Sequence, residues 1–344
     1  MRWRWLLGLG LGLGLLGGGG RFLFARRRKS NSEALNAPVP HPDPDLTVLS
    51  ASHPESDSLQ VTMPGLITLT QEGEYRLGRY VVRKILGKGA CGITYLGVRD
   101  ESGLEVAIKV PHPHVLADRE FLARFRQEAE MGSHLIHPKI VRIIDKGPTE
   151  GTPWLAMELV HGTGLDEYLK LKGALGLPES LDIAIDVAEA ITYAHAQGVV
   201  HRDLKPSNVM LSEKGAQVLD FGIARMTDGV AITATHTFLG TPLYASPESV
   251  KHSRVGPAAD RYALGIMLFE FLAGKPPFLG PNAFSILQMH LSTPMPDLSE
   301  FRPHLAPKLL RLIDRLTDKR PEERPEDGEV VRILKQIRQG LGPT

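Results

Sequence analysis

The chain has 344 residues, 42% hydrophobic and 23% charged, enough to bury one large two-lobed domain or two ordinary ones. Its net charge of +1 hides an asymmetry. Residues 1–30 hold seven basic side chains and no acidic one, leaving a mildly acidic body that argues against nucleic-acid binding through a basic face. The single cysteine, Cys91, excludes an intrachain disulfide and suits a reducing compartment.

Residues 1–30 form a basic, Leu/Gly-rich segment. Arg2 and Arg4 precede an apolar run from Leu6 to Gly20, and Arg21 and Arg26-Arg27-Arg28-Lys29 follow it. The run is shorter than the ~20 apolar residues a spanning helix needs. Its eight glycines each weaken a helix by up to about 1 kcal/mol. Residues 6–24 therefore read as a marginal membrane anchor, and the positive charge after them would keep the rest of the chain cytoplasmic. A transit peptide and a disordered basic tail or misassigned start are the alternatives. Residues 31–65, with Pro38, Pro40, Pro42, Pro44, Pro54 and Pro64 among polar residues, bury too little apolar surface to order and read as a linker. Residues 66–79 are a short lead-in to a folded domain over 80–339.

Tyr80 to Leu86 is a β-rich run, and Ile93 to Val98 reads as its return strand. Between them lies Gly87-Lys88-Gly89-Ala90-Cys91-Gly92, whose glycines let backbone approach phosphates closely. A dinucleotide-binding oxidoreductase carries the same glycine spacing, but there the glycines join a strand to a helix; here they join two strands. Glu105 to Val110 is a third strand containing Val106-Ala107-Ile108-Lys109, and Arg119 to Leu135 is helical by apolar spacing. Within that helix Glu128 and Glu130 lie about 200° apart, so only one of them faces any given site. Leu177 to Gln197 is a second amphipathic helix, leading into His201-Arg202-Asp203-Leu204-Lys205-Pro206-Ser207-Asn208. Asp220-Phe221-Gly222 follows, then Gly240-Thr241-Pro242, Ser246-Pro247-Glu248 and Asp260.

These motifs, in this order, resemble the eukaryotic-type protein kinase family, with the texture of bacterial serine/threonine kinases. The resemblance runs from about Tyr80 to about Gln339. It implies an α+β, two-lobed kinase fold with a β-rich N-lobe, one main N-lobe helix and a mainly helical C-lobe. It implies transfer of the γ-phosphoryl group of ATP to Ser/Thr hydroxyls of proteins, with Mg2+ as cofactor. Asp203 takes the role of base, Lys205 neutralises the transferred group, and Lys109 meets the α/β-phosphates with Glu128 as its partner. Asn208 and Asp220 are the metal ligands, both offering hard oxygen donors. The nucleotide pocket comprises Leu86, Gly87, Lys88, Gly89, Ala90, Cys91, Gly92, Ile93, Thr94 and Lys109, together with Met157, Glu158 and Val160 at its back and hinge. His201 braces the loop, Thr241 packs against it, Glu248 pairs with Arg324, and Asp260 holds the loop backbone. Arg202 beside Asp203 implies regulation by autophosphorylation at Thr235 or Thr237. Cys91, Thr94 and Ser246 depart from the usual family residues, so a nucleotide-binding pseudokinase scaffold is the second reading. Lys205 and Thr241 resemble serine/threonine rather than tyrosine kinases. No pair of histidines has zinc-site spacing.

Overall fold

In the computed structural model, the described residues are 68–69, 74–89, 92–116, 119–147, 153–221, 242–251 and 255–342, all belonging to one compact unit. The basic N-terminal segment, the linker and the stretch between Phe221 and Pro242 lie outside them.

The strands are β1 (Thr68–Leu69), β2 (Tyr75–Leu77), β3 (Tyr80–Lys88), β4 (Gly92–Arg99), β5 (Glu105–Pro111), β6 (Ile143–Lys146) and β7 (Leu155–Glu158). They form one sheet in the order β1-β2-β3-β4-β5-β7-β6, antiparallel throughout. Period-two alternation decides its faces. Val106, Ile108 and Val110 of β5 join Tyr80, Val82, Ile93, Tyr95 and Trp154 in a buried cluster. Ala107 and Lys109, on the opposite face of β5, are left for a site. The short helix α1 (Pro113–Leu116) and the main N-lobe helix α2 (Arg119–Ser133) follow β5, and Phe125 and Ala129 of α2 pack with Leu155. Strands β1 and β2 are additional to the expected pattern: the lead-in at 66–79 contributes two short strands to the sheet edge.

The second lobe is mainly helical. Its elements are β8 (Thr163–Gly164), α3 (Leu165–Lys172), α4 (Leu177–Ala196), β9 (Val209–Ser212), β10 (Gly215–Val218), α5 (Pro247–Val250), α6 (Pro257–Ala273), α7 (Ala283–Ser292), α8 (Pro307–Leu316) and α9 (Asp327–Gln339). Helix α6 is buried on nearly every side, as a helix apolar all round must be, and stands at the centre. Pro257 opens it, and Gly274 closes it in left-handed geometry (φ 75°). Helix α4 packs against α6, α9 and β10, placing Ala184, Val187, Ile191 and Ala194 in the main core. It ends at Ala196, one residue before the expected end, because the Gln197 and Gly198 amides turn back onto Ala194 and His195. The α+β architecture expected of the sequence, a β-rich lobe with one main helix beside a helical lobe, is the one observed.

Candidate active site

The site is built where one face of the sheet meets the loops of the helical lobe. Antiparallel register sets Thr94 opposite Lys109 and Ala107 opposite Met157. Ala107, Met157 and Val141 form a buried apolar cluster with Leu159, Val160 and Leu219 packed against it. Beside that wall Lys109 Nζ donates to Asp220 Oδ2 at 2.6 Å, joining residues 111 apart in sequence and on different lobes. The lobes are also joined by backbone: Val141 donates to Val218 and Val218 to Lys139, each at 2.9 Å.

Gly87 and Lys88 lie opposite Thr94 and Ile93, and Gly89 closes the hairpin by donating to Gly92 at 2.9 Å. His112 Nε2 lies 2.9 Å from the Gly89 carbonyl. At Gly92 the need for glycine is steric, since an added Cβ would stand 2.3 Å from the Val110 carbonyl oxygen. Leu86, Gly87 and Lys88 are exposed, whereas Ile93 is buried. Ala90 and Cys91 at the loop tip lie outside the described residues. The Glu158 amide donates to the Arg142 carbonyl, and its carboxylate reaches Lys214 at 3.6 Å.

In the loop after α4, Lys205 Nζ donates to Asp203 Oδ2 at 2.6 Å. Asn208 Nδ2 donates to the Asp203 carbonyl at 2.8 Å and to Asp203 Oδ2 at 3.3 Å. The amide nitrogen is thereby spent on Asp203, leaving the Asn208 carbonyl oxygen and a carboxylate oxygen of Asp220 as a hard donor set that fits magnesium. His201 is wholly buried, accepts from the Asp203 amide through Nδ1 and donates from Nε2 to the Leu219 carbonyl, which fixes the neutral tautomer with its proton on Nε2. Its ring meets Phe221 edge-on at 4.9 Å. Arg202 and Asp220 both adopt left-handed backbone, at φ 65° and 55°. Such conformations cost non-glycine residues about 1–3 kcal/mol and are kept only where the surroundings impose them. At Arg202 the imposing group is Asp260, whose carboxylate accepts from the His201 amide at 2.7 Å and the Arg202 amide at 2.8 Å.

Glu130 forms an exposed ion pair with Lys146, which holds its carboxyl below the usual range. It is thereby turned to the surface; the side chain of its rival Glu128 lies outside the described residues, as do Thr235, Thr237 and Thr241. Glu248 and Arg324 form a buried two-pronged ion pair at 2.7 and 2.9 Å. Ser246 caps α5, accepting from the Ser249 amide, so a hydroxyl here has a local use.

Several charged groups around this site escaped the sequence reading. His195 of α4 lies between Asp260 and Asp327, 2.8 Å from each. Burial pushes its pKa down, but the two carboxylates outweigh burial and hold it up at about 9. Below Pro242–Tyr244, buried His290 bonds the Tyr262 hydroxyl, and burial together with the Lys319 charge pushes it down to about 3. Tyr244 donates to Glu270 at 2.6 Å, and burial raises the pKa of both groups. The one signal in sequence was a polar residue recurring on an otherwise apolar helix, which does not name its partner.

The family model for the protein kinase domain matches residues 80–336. Serine/threonine-protein kinase PrkC of Bacillus subtilis is 38% identical over 237 residues, covering 69% of this chain and 37% of its own length. Serine/threonine-protein kinase PknA of Mycobacterium tuberculosis is 37% identical over 243 residues, covering 69% of this chain and 56% of its own. The chain thus spans between about a third and three fifths of those relatives. The crystal structure of the PknI kinase domain from Mycobacterium tuberculosis superposes with a TM-score of 0.61 at 31% identity, covering 76% of this chain and 97% of that one. On the strength of the matched domain, its two lobes and these relatives, this chain belongs to the protein kinase family.

Proposed function

We propose that the chain is an ATP-dependent serine/threonine protein kinase. The observation that carries this reading is the convergence of Lys205 and Asn208 on the Asp203 carboxylate beside the Lys109–Asp220 ion pair. Phosphoryl transfer asks little covalent chemistry of the protein; positioning and charge stabilisation do most of the catalysis. In this reading the wall of Ala107, Val141, Met157, Leu159, Val160 and Leu219 takes the adenine, and the Gly87–Gly92 hairpin covers the phosphates. Lys109 holds the α/β-phosphates with Glu128 as its partner. Asp203 orients the substrate hydroxyl and receives its proton, while Lys205 stabilises charge on the group in flight. Asn208 and Asp220 would hold magnesium, which supplies neutralisation of phosphate charge. Asp260, His201 and the Glu248–Arg324 pair keep the loops in place, as Thr241 does in this reading.

Arg202 is exposed beside Asp203, which supports a regulatory phosphate on Thr235 or Thr237: three acceptor oxygens and about −1.5 to −2 charge would order the segment against it. Residues 6–24 would tether a cytoplasmic domain (80–339) through the linker at 31–65, although no helix among the described residues is long and apolar enough to cross a membrane. The test is labelled ATP with magnesium and a generic Ser/Thr-containing protein. Transfer by the wild type is expected, with a loss of at least about a hundredfold in Asp203→Asn. Tight nucleotide binding without any transfer would instead favour the pseudokinase scaffold. Full activity after Thr235→Ala/Thr237→Ala, with no phosphate on the segment by peptide mapping, would remove the regulatory reading.

A further inference from the structure

Among the described residues, a chain of four buried or part-buried charged side chains links α6 and α9 to Asp260, which holds the catalytic loop. It begins at Arg261 of α6, whose Nη1 lies 3.1 Å from Asp327 Oδ1. Asp327 Oδ2 accepts from His195 Nδ1 at 2.8 Å, and His195 Nε2 donates to Asp260 Oδ2 at 2.8 Å. Asp260 ends the chain on the amides of His201 and Arg202, immediately before Asp203. The charges alternate. The His195 side chain is 4% exposed and that of Asp260 1%, so water does not satisfy either.

The geometry fixes the protonation of the ring. An ionised carboxylate only accepts, so a ring with a carboxylate on each nitrogen must donate from both, and an imidazole that donates from both is the cation. Were the ring neutral, one nitrogen would press a lone pair on a carboxylate, and Asp260 would lose either its donor or the positive charge that offsets its own buried charge. Other groups facing the ring come from three elements: Asp260 and Arg261 from α6, Asp327 and, through Arg261, Glu326 from α9, and the His201 and Arg202 amides from the loop.

We infer that Asp327 is a remote positioning residue for phosphoryl transfer: by keeping His195 charged it holds Asp260, and through Asp260 the left-handed backbone at Arg202 that aims Asp203. The inference rests on the kinase reading. Asp327 touches neither nucleotide nor substrate hydroxyl, so its removal lowers turnover and leaves nucleotide affinity alone. The raised pKa of His195, about 9, agrees with a ring held between two carboxylates.

The test uses the full chain and Asp327→Asn, an isosteric change that keeps an acceptor but removes the charge. In wild type, kcat should hold across neutral pH and fall as His195 loses its proton near pH 9. In Asp327→Asn that alkaline limb should move down by about one pH unit or more. KM for ATP should stay within about twofold while kcat at pH 8 drops roughly tenfold. Asp327→Glu should restore part of the loss. Independently of activity, hydrogen exchange at the His201 and Arg202 amides should quicken about tenfold in Asp327→Asn. In the wild type, nitrogen NMR of His195 should report a doubly protonated ring at pH 7. A wild type that transfers no phosphate sinks the kinase reading, and exchange and NMR then decide the coupling by themselves. A neutral His195 ring at pH 7, or matching pH profiles and exchange rates in wild type and Asp327→Asn, overturns the inference.

Discussion

At the scale of single residues the site separates two kinds of charge. Lys109, Asp203, Lys205 and Asp220 are part-exposed around the buried Asn208, whereas Glu248 and Arg324 are almost wholly enclosed. A buried pair of that kind adds little net stability but is costly to break, because the survivor is left charged and dry, at about 3–5 kcal/mol. Arg324→Met should therefore lower the free energy of unfolding by about that much in a urea titration, and Glu248→Gln combined with Arg324→Met should lose distinctly less than the single changes added together. The residues assigned to the proposed site behave oppositely. Lys109→Met and Asp220→Ala should remove phosphoryl transfer, with unfolding midpoints near that of the wild type, since neither belongs to the core; normal turnover in either purified variant would refute their assignment. The same division explains what could be read in advance. Asp203, Lys205 and Asn208 announce themselves because their spacing in one short loop is their geometry. His195 does not, since its partners lie 65 and 132 residues downstream and only folding brings them together.

Among elements, the strands were legible wherever periodicity and glycine agreed. The β3–β4 hairpin and β5 fall where alternating apolar residues predict, and α2 and α4 differ from expectation only at their ends, where tight turns rather than apolar spacing stop the helix. Strands β1 and β2 were not legible, because two- and three-residue edge strands carry too few side chains to show a period. The hairpin offers its own test. In Gly92→Ala the new methyl must displace the Val110 carbonyl or part β4 from β5, and overpacking of this sort costs about 1–3 kcal/mol. Thermal scans of the free protein should show the drop, and nucleotide should protect the variant less than the wild type. An unchanged melting temperature with normal nucleotide protection would mean that the close approach is absent in solution.

For the whole molecule, His195, His290 and Lys319 among the described residues contribute to how stability varies with pH. His195 binds its proton more tightly when folded, so its contribution is complete below the unfolded value near 6.5 and is lost as pH rises through about 9. His290, at about 3, is the reverse: the unfolded chain takes the proton first, and stability falls as pH drops from about 6.5 towards 3. Lys319 is pushed down to about 8 by burial and the Arg324 charge, so above pH 8 it adds stability as pH rises and opposes the His195 loss. The melting temperature should peak near pH 6.5, decline to about 8 and then flatten. In His195→Gln the decline above 6.5 should disappear while the acid limb stays. An alkaline limb that survives His195→Gln would assign it to other groups.

The position of Asp327 in the chain also has a consequence for timing during synthesis. The loop that carries Asp203 leaves the ribosome long before the helix that steadies it, since Asp327 comes 124 positions after Asp203. At about 5–20 residues per second, that interval is roughly 6–25 s. Through it the nascent chain holds every group of the loop but lacks the carboxylate at the far side of His195, and α4 has yet to receive the apolar face of α9. A ribosome that stalls or a message that is truncated in this stretch yields a chain with the loop residues written in it and the brace missing, and on the inference above such a chain should transfer phosphate more slowly than the complete one.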